Sequence, residues 1–268
     1  MDRYAVVGNP VAHSRSPDIH RMFAEQTGES LSYDRILTSV EKFDACVTAF
    51  FQSGGLGLNV TLPFKQQAHD LAGELDDAAR EAGAVNTLMA TPDGLWGGNT
   101  DGNGLVRDLT RNHDVALAGL RVLVLGAGGA VHGVIGALLR GGVAEIVIVN
   151  RTHDRAVRLA RRWSDPRIRA VRSEACVDSF ELVINGTSAS LRGEVPKIGE
   201  SVLGSACLCY DMVYASEETA FMTWASSRGA RAVDGLGMLV EQAAESFYIW
   251  RAVRPRTPPV VQALRALG

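Results

Sequence analysis

The sequence feature that most restricts the fold is a glycine-rich turn that directly follows a short apolar run. The apolar run is Val122–Leu125, and the turn is Gly126-Ala-Gly-Gly-Ala130. A strand that ends in such a turn before a helix is typical of dinucleotide-binding α/β domains, because glycines let the backbone approach a pyrophosphate at the helix amino terminus. The G-x-G-x-x-G pattern is incomplete, since Val131 stands at its last position. An ordinary tight turn is the alternative.

Polar residues at the end of the next predicted strand indicate which nucleotide the turn would take. An NAD site usually carries an acidic residue there, which binds the ribose 2′-hydroxyl. This chain has Asn150, Arg151 and Thr152 instead, and Arg155 follows one helical turn later. Guanidinium groups clamp phosphates, whereas a carboxylate would repel a 2′-phosphate. The sequence therefore favours NADP over NAD, unless the two arginines are only solvated residues at a helix start.

Apolar strand-like runs alternate with helical patterns along the whole chain, which predicts an α/β fold with mainly parallel sheets. The predicted strands lie at 3–7, 31–36, 56–60, 85–89, 121–125, 145–149, 182–185 and 206–210. The predicted helices lie at 17–27, 41–52, 64–73, 102–112, 130–140, 153–163, 217–228 and 238–252, and a short helix ends the chain.

Composition excludes several classes of function. The 268 residues are 46% hydrophobic and 21% charged, with a formal charge of −3. Such a surface offers no basic field for nucleic acid and no polybasic patch for a membrane, and no apolar stretch approaches the roughly 20 residues of a membrane helix. The 4 cysteines are scattered without C-x-x-C spacing, so we expect small buried hydrophobes rather than a metal or redox site. We expect a cytoplasmic protein.

Two short polar clusters each follow an apolar stretch and carry the candidate chemistry. One runs from Asn59 to Lys65, and the other is Asn99-Thr-Asp101. Lys65 stands near a predicted helix start, where the helix dipole disfavours a cation. This unfavourable position suggests that Lys65 has a functional role. If the fold brings Lys65 next to Asp101, the two would form a pair able to transfer a proton. Taken alone, Lys65 could be a solvated residue and Asp101 a helix N-cap.

A segment between the first strand and the first helix predicts a carboxylate site. Ser14 and Ser16 supply two hydroxyls near the free N–H groups of a helix amino terminus. Because Pro17 suits the first helical position, Ser16 could also serve only as the N-cap. Gly28 predicts the end of the same helix.

Amides and hydroxyls at two further strand ends could bind vicinal hydroxyls of a small molecule. Asn59 and Thr61 alternate at the end of one strand, and Asn86 with Thr87 follows another apolar run. Together with a nicotinamide site, these groups suggest hydride transfer involving a polyhydroxylated small molecule.

In their order and spacing, these motifs resemble the shikimate dehydrogenase family of NADP-dependent enzymes in aromatic amino-acid biosynthesis. The resemblance covers essentially the whole chain, and the order of the motifs is far more specific than any one of them. The motifs are Gly8-Asn-Pro10, Ser14-Arg-Ser16-Pro17-x-Ile-His20, Asn59-Val-Thr61-Leu-Pro-Phe-Lys65, Gly83-Ala-Val-Asn86-Thr87, Asn99-Thr-Asp101-Gly102, Gly126-Ala-Gly-Gly-Ala130, Asn150-Arg-Thr152, Asn185-Gly-Thr187-Ser188, Asp211-Met-Val-Tyr214 and Asp234-Gly-Leu-Gly-Met-Leu-Val-x-Gln242.

The resemblance implies an oxidoreductase that reversibly reduces 3-dehydroshikimate to shikimate with NADPH, within chorismate biosynthesis. Ser14 and Ser16 would hold the substrate carboxylate. Lys65 and Asp101 would be the catalytic dyad, in which Lys65 protonates the carbonyl oxygen and Asp101 orients Lys65. The residues implied to contact the substrate hydroxyls are Asn59, Thr61, Asn86, Asp101 and Gln242, with Tyr214 close by.

For the cofactor NADP, the resemblance implies three groups of residues. The pyrophosphate would lie against Gly126, Ala127, Gly128, Gly129 and Ala130. The adenosine 2′-phosphate would lie against Asn150, Arg151, Thr152 and Arg155. The ribose and nicotinamide would be lined by Thr187, Ser188, Met212, Val213 and Gly235.

The resemblance also implies two domains with an active-site cleft between them, whose closure would exclude water. An N-terminal α/β substrate-binding and catalytic domain would comprise residues 1–101 and 238–268, so that the C-terminal helices return to it. A Rossmann-type NADP-binding domain would comprise residues 102–237. The implied partner is the small-molecule substrate, with no nucleic acid, membrane or metal, and the chain would be a monomer or homodimer.

Three positions depart from the family's usual residues: His132 stands for Arg or Lys, Ala220 for Pro, and Gly98 for a larger residue. The change at His132 concerns a position beside the glycine turn and therefore the affinity for the cofactor.

Three alternatives stay open. A related enzyme would accept quinate or use NAD, a non-catalytic relative would only bind a nucleotide, and a folate-linked dehydrogenase would share the two-domain layout. The arginine pair argues against NAD, the dyad against a non-catalytic protein, and the two serines against a folate enzyme.

Overall fold

A computed structural model of the chain describes residues 1–215 and 217–267. The chain divides into two compact units. The first comprises Met1–Leu105 and Leu239–Leu267, and the second comprises Val106–Met238. Within the described ranges, the helices are too short or too polar to cross a membrane.

The first unit contains six strands of one mixed sheet. They are β1 (Asp2–Gly8), β2 (Leu31–Leu37), β3 (Gly55–Val60), β4 (Glu74–Leu75), β5 (Thr87–Thr91) and β6 (Gly94–Gly98). The helices that lie in or begin in this unit are α1 (Ser16–Thr27), α2 (Phe43–Gln52), α3 (Lys65–Leu71), α4 (Asp77–Ala82) and α5 (Asp101–Arg107).

The sheet of the first unit has the order β2-β1-β3-β5-β6-β4. Strands β1, β2 and β3 pair in parallel, whereas β5 pairs antiparallel with both β3 and β6. One face packs on a core that includes Phe43, Leu58 and Phe64. Since the loops after β1 and β3 leave the same edge of the sheet, the segments that carry Ser14 and Thr61 become neighbours: Asn9 N–H donates to the Leu62 carbonyl (2.9 Å).

The second unit is a six-stranded sheet whose pairings are all parallel. Its strands are β7 (Arg121–Leu125), β8 (Glu145–Val149), β9 (Ile168–Ala170), β10 (Phe180–Asn185), β11 (Leu203–Asp211) and β12 (Arg231–Val233). Its helices are α6 (Gly129–Arg140), α7 (His153–Trp163) and α8 (Ala220–Ser226), and the chain ends with α9 (Leu236–Arg251) and α10 (Pro258–Ala266).

The strand order β9-β8-β7-β10-β11-β12 is that of a dinucleotide-binding domain, in which the strand order reverses beside the first strand. The central strands are buried along almost their whole length, as apolar runs covered on both faces must be. Cys207 and Cys209 lie together in this core, as expected for two residues on one side of a strand. The α/β prediction is confirmed.

Several local expectations are corrected. Ser16 is not an N-cap: α1 begins at Ser16, Arg15 precedes it, and the Ser16 N–H bonds to Ser14 Oγ (3.3 Å). Gly28 ends this helix in the left-handed conformation, as predicted. The helix predicted at 102–112 is α-helical only to Arg107, and 108–112 form a π-helical turn.

The helix predicted at 217–228 spans only Ala220–Ser226, because the Thr219 side chain caps it by accepting from the Met222 N–H (3.2 Å). Ser216, just before the predicted start, lies outside the described residues. Five short elements were missed, namely β4, α4, β6, β9 and β12. Three of them are strands of two or three residues, which are too short to show an alternating pattern.

Candidate active site

Lys65 and Asp101 meet at the first residues of two helices, α3 and α5. Lys65 Nζ lies 2.5 Å from Asp101 Oδ2, and the two side chains are only 16% and 7% exposed. The Lys65 carbonyl accepts the Val85 N–H (2.8 Å), which ties the start of α3 to the segment before β5. The carboxylate offsets the unfavourable place of a cation at a helix start. The alternatives of a solvated lysine and a capping aspartate are wrong.

Asn86 holds the second oxygen of the Asp101 carboxylate. Its Nδ2 donates to Asp101 Oδ1 (2.9 Å) and to Thr100 Oγ1 (2.9 Å), and it also lies 3.2 Å from Gln242 Oε1 on α9. The Asn86 Oδ1 accepts the Thr100 N–H (2.9 Å). Because Asp101 is bonded on both oxygens, its orientation toward Lys65 is set by the fold rather than by solvent.

Asn59 is buried, and its amide is used inside the first unit. Its Oδ1 accepts the Tyr33 hydroxyl (2.7 Å), and its Nδ2 donates to Ser246 Oγ (3.0 Å) and to the Asn86 carbonyl (3.1 Å). In this structure Asn59 therefore supports the backbone of Asn86. Its contact with a substrate hydroxyl stays a prediction.

The two serines of the predicted carboxylate site lie at the amino terminus of α1. The Ser14 hydroxyl donates to Ser16 Oγ (3.2 Å). The Arg35 guanidinium donates twice to the Ser14 carbonyl (2.9 and 2.6 Å) and so holds this turn in place. Two hydroxyls at a helix amino terminus make a suitable place for a carboxylate.

The other residues predicted to contact the substrate are one residue on a helix and two residues that follow strands. Thr61 directly follows β3, and its methyl packs so closely on Gly8 that a Cβ at position 8 would lie 2.4 Å from it. Gln242 lies on α9 and donates to the Leu239 carbonyl (2.8 Å). Tyr214 follows β11 in the second unit and is half-buried. The glycine at position 8 is therefore needed for the placement of Thr61.

The glycine turn of the second unit leaves a backbone cradle open at the start of α6. Gly126 has a φ of 110°, which only glycine adopts readily, and its N–H bonds to the Val149 carbonyl (2.7 Å). Among the residues described, none would come within 4 Å of a Cβ added to Gly128 or Gly129. Gly128 is the N-cap, so no side chain of its own covers the helix N–H groups. Ala127 and Ala130, on either side of the glycine pair, are half-buried. These features fit a pyrophosphate.

Val131 explains why the glycine pattern is incomplete. Its side chain is fully buried and packs against Gly186, where an added Cβ would lie 2.5 Å from Val131 Cγ2. The third glycine of the usual pattern allows a helix to pack closely on the neighbouring strand. Here the glycine that permits this packing is Gly186, after β10, rather than a residue of α6.

The predicted 2′-phosphate residues lie between β8 and α7. Asn150 Nδ2 donates to the Thr152 carbonyl (2.8 Å), which closes the turn, and the Arg155 N–H bonds to the same carbonyl (3.0 Å). Arg151 and Arg155 are both exposed and leave the same short segment. Two exposed guanidinium groups beside a helix start suit a phosphate.

The residues predicted to line the ribose and nicotinamide follow β10 and β11. Thr187 Oγ1 donates to Asn185 Oδ1 (2.7 Å), and the exposed Ser188 follows it. A Cβ on Gly235 would lie 2.5 Å from the Met212 carbonyl oxygen, and the Gly235 N–H bonds to the Val213 carbonyl (3.2 Å). Gly235 is therefore required for this close backbone approach.

Three family models match the chain: the shikimate dehydrogenase substrate binding domain over residues 6–88, shikimate/quinate 5-dehydrogenase over 108–192, and the shikimate 5′-dehydrogenase C-terminal domain over 235–265. The shikimate dehydrogenase (NADP(+)) of Alkalilimnicola ehrlichii is 56% identical over 98% of both chains. The chain belongs to the shikimate dehydrogenase family.

Solved structures agree with this membership of the shikimate dehydrogenase family. An enzyme from Pseudomonas putida is 43% identical with a TM-score of 0.94, over 98% of both chains. Shikimate 5-dehydrogenase from Thermus thermophilus, solved in complex with NADP(H) and shikimate, is 32% identical with a TM-score of 0.90, over 99% of both chains.

Two of the three departures from the shikimate dehydrogenase pattern have a structural explanation. A Cβ at Gly98 would lie 2.4 Å from the Trp96 ring, so the small residue makes room for that ring. Helix α8 begins at Ala220 without the usual proline, because Thr219 supplies the cap. His132 lies half-buried in the first turn of α6, where its N–H bonds to the Gly128 carbonyl (3.1 Å).

Sequence reasoning assigned no role to four polar residues that support the site, although three of them stand in the motifs quoted above. Thr100 and Ser246 join the network around Asn86 and Asn59, and Asn185 and Asp211 hold the loops after β10 and β11. A signal existed for Ser246, which lies one helical turn after Gln242, and for Asp211, which is polar at the end of an apolar strand. Their partners could not be inferred, because they lie far away in the sequence.

Proposed function

We propose that this chain is an NADP-dependent shikimate dehydrogenase that reversibly reduces 3-dehydroshikimate to shikimate. The observation that carries the proposal is the shielded Lys65–Asp101 pair, with Nζ and Oδ2 2.5 Å apart and the second carboxylate oxygen held by Asn86. A lysine that is held in place and shielded from water is suited to give a proton to a carbonyl oxygen and to stabilise the alkoxide that develops there.

Each group of site residues has a proposed role toward the substrate. Lys65 donates the proton in the reduction and takes it back in the reverse reaction, while Asp101 orients it and contacts a hydroxyl. Ser14 and Ser16 hold the carboxylate. The residues proposed to contact the ring hydroxyls are Asn59, Thr61, Asn86, Gln242 and Tyr214. Fixing the substrate at both ends supplies much of the rate enhancement, since positioning replaces a costly loss of freedom in the transition state.

The cofactor residues are proposed in the same way. NADPH supplies the hydride when bound. The turn Gly126–Ala130 holds the pyrophosphate, and Asn150, Arg151, Thr152 and Arg155 hold the 2′-phosphate. The residues proposed for the ribose and nicotinamide are Thr187, Ser188, Met212, Val213 and Gly235. We further propose a substrate domain of residues 1–101 and 238–268, an NADP domain of residues 102–237, a cytoplasmic location, and a monomeric or homodimeric state.

The proposal is tested by following the formation of NADPH or NADH with purified protein, pairing shikimate or quinate with NADP or NAD. We expect rapid reduction only with shikimate and NADP. The family model over residues 108–192 is that of a shikimate/quinate enzyme, so strong activity with quinate or NAD would move the assignment to this broader relative. No activity in any of the four pairs would reject the proposed reaction.

A further inference from the structure

Asp211, the last residue of β11, is a fully buried carboxylate that accepts four hydrogen bonds. Its Oδ1 accepts Asn185 Nδ2 and the Val213 N–H, both at 3.1 Å. Its Oδ2 accepts the hydroxyls of Ser190 (2.5 Å) and Thr219 (2.6 Å). Burying a carboxylate is costly unless its oxygens are satisfied, and here the protein supplies every donor.

The four donors belong to the end of β10 with the loop after it, to the loop after β11, and to the start of α8. Asn185 ends β10, Ser190 lies in the loop after it, Val213 lies in the loop after β11, and Thr219 caps α8. Backbone bonds continue a short way past the strand ends, since the Gly186 N–H donates to the Leu125 carbonyl (2.8 Å) and the Gly235 N–H to the Val213 carbonyl (3.2 Å). The Asp211 carboxylate adds side-chain hydrogen bonds that connect all three segments.

Asn185 extends this hydrogen-bond network from Asp211 to Thr187. While its Nδ2 is bonded to Asp211, its Oδ1 accepts both the N–H (3.1 Å) and the hydroxyl (2.7 Å) of Thr187. Its carbonyl accepts the Met212 N–H (2.9 Å). The Asp211–Asn185 pair thus holds the backbone of both loops that carry the residues proposed to line the ribose and nicotinamide.

The residues proposed for the adenosine half of the cofactor are held differently. The turn at Gly126 is bonded to the Val149 carbonyl, and the segment at Arg151 is closed by Asn150 and Thr152. The hydrogen bonds of Asp211 go to none of these segments in the described part of the chain. Asp211 therefore acts on one half of the proposed cofactor site.

We propose that Asp211 is a positioning residue that holds the two loops in the shape that receives the nicotinamide half of NADP. This inference rests on the proposed NADP-dependent function. Asp211 does not touch the reacting atoms in this account. It acts through the four groups that donate hydrogen bonds to its carboxylate, and its loss would leave the site for the adenosine half intact.

The test compares two ligands in the full chain by calorimetry. NADPH occupies both halves of the site, whereas adenosine 2′,5′-bisphosphate occupies only the adenosine half. For Asp211→Ala we expect NADPH to bind about tenfold more weakly or worse, because four hydrogen bonds to a charged group are lost, with the bisphosphate affinity unchanged. The KM for NADP should rise while the KM for shikimate stays constant.

Two further variants separate positioning from stability. Ser190→Ala removes one bond to Asp211 and is a mild change; it should weaken NADPH severalfold and leave the bisphosphate unaffected. Asp108→Asn is the matched control, because Asp108 is another buried carboxylate of the second unit, bonded to Tyr210 (2.5 Å) and Asn112 (2.8 Å). It should lower thermal stability without changing the ratio of the two affinities.

The outcomes are distinguishable. If Asp211→Ala weakens both ligands equally or neither, the inference is wrong. If Asp211→Ala does not fold, Ser190→Ala decides: a selective loss of NADPH affinity supports the inference, and an unchanged ratio overturns it. If the unaltered protein binds neither ligand, the proposed NADP-dependent function fails instead.

Discussion

At the scale of single residues, the candidate site depends on how one carboxylate is held. Asp101 receives Lys65 on one oxygen and Asn86 on the other, and Asn86 is in turn braced by Thr100 and by its neighbours on β5 and α9. A buried ion pair is costly to break because the remaining charge is left without a partner. The lysine is therefore held in one place, as a proton donor to a bound substrate must be.

Replacing Lys65 tests this account directly. In Lys65→Met we expect kcat to fall by about 10²–10⁴-fold, since a positioned proton donor contributes that much, while NADPH affinity stays within about twofold. Stopped-flow turnover and NADPH titration measure the two quantities. Lys42→Met, a change at an exposed lysine of the same unit, is the control and should turn over normally. Near-normal turnover in Lys65→Met would remove Lys65 from the mechanism.

Arg151 is predicted to act only on the 2′-phosphate. Arg151→Ala should raise the KM for NADP by roughly tenfold or more and leave the KM for NAD almost unchanged, because only NADP carries the phosphate that the guanidinium binds. Steady-state kinetics with both cofactors give the comparison. Arg158→Ala, on the exposed side of α7, should affect neither. Equal losses for NADP and NAD would contradict the assignment.

His20 makes the stability of the first unit dependent on pH. It is 1% exposed and stacks on Tyr33 at 4.2 Å, and within the described chain neither ring nitrogen has a hydrogen-bond partner. Burial lowers the pKa of His20 to about 3, compared with about 6.5 in an unfolded chain. Between these values the unfolded state binds more protons, so the free energy of unfolding falls as the pH falls.

We expect His20 alone to cost about 2 kcal/mol of unfolding free energy between about pH 7.5 and about pH 5. Urea unfolding at both pH values measures the loss. In His20→Phe, whose ring cannot be protonated, the pH-dependent loss should shrink by that amount, whereas His13→Gln, at an exposed histidine, should keep it. An identical loss in His20→Phe and the unaltered protein would rule out His20 as the cause.

At the scale of elements, the two units differ in how far local patterns predict them. Strands β7 and β8 and helix α7 lie where the sequence predicts them, because their uninterrupted apolar runs and helical pattern are bounded by clear turn residues. Strand β6 and helix α4 were not predicted, since three of the five residues of β6 are glycines and α4 is only six residues long. Such elements are stabilised by their neighbours rather than by their own sequence pattern.

Because Val131 of α6 packs on Gly186, substitutions at these two positions should have non-additive effects on the free energy of unfolding. Gly186→Ala should lower the free energy of unfolding by about 1–3 kcal/mol, because its Cβ would lie 2.5 Å from Val131 Cγ2. Val131→Ala alone should cost roughly 2 kcal/mol through lost burial. The double variant should be more stable than the sum of the two costs predicts, by about 1 kcal/mol or more. Thermal unfolding of the unaltered protein, the two single variants and the double variant gives the double-mutant cycle. If the two single losses of unfolding free energy simply add in the double variant, the two side chains do not compete for space.

At the scale of the whole molecule, the last helices complete the first unit. Trp250 on α9 lies against Gly57 of β3, where an added Cβ would be 2.4 Å from its ring, and its Nε1 donates to the Leu88 carbonyl (3.1 Å). Arg251 donates to Glu29 Oε2 (2.8 Å), to Asp2 and to the Tyr4 hydroxyl. The carboxyl-terminal segment is thus bonded to the first strand and to the end of the first helix.

Arg251→Met should therefore destabilise the first unit selectively. We expect a loss of roughly 1–3 kcal/mol, because a mostly shielded guanidinium with three partners is removed. Hydrogen exchange should rise in β1, α1 and α9 and stay unchanged in β7, β8 and β10. Arg21→Met, which removes only an exposed pair with Glu25, should change stability by about 0.5 kcal/mol or less. Equal exchange in both units would show that the cluster does not act locally.

The sequence by itself determined the α/β class, the glycine turn, the family and the candidate dyad, since each of these follows from local periodicity, turn chemistry or motif order. Only the tertiary structure decided which polar side chains meet. Lys65 and Asp101 are 36 positions apart, and Asn59 reaches Ser246 across 187 positions to brace the site from within. The reason is physical: local patterns specify strands and helices, but contacts between distant residues depend on the order of strands in the sheets and on the loops that leave them.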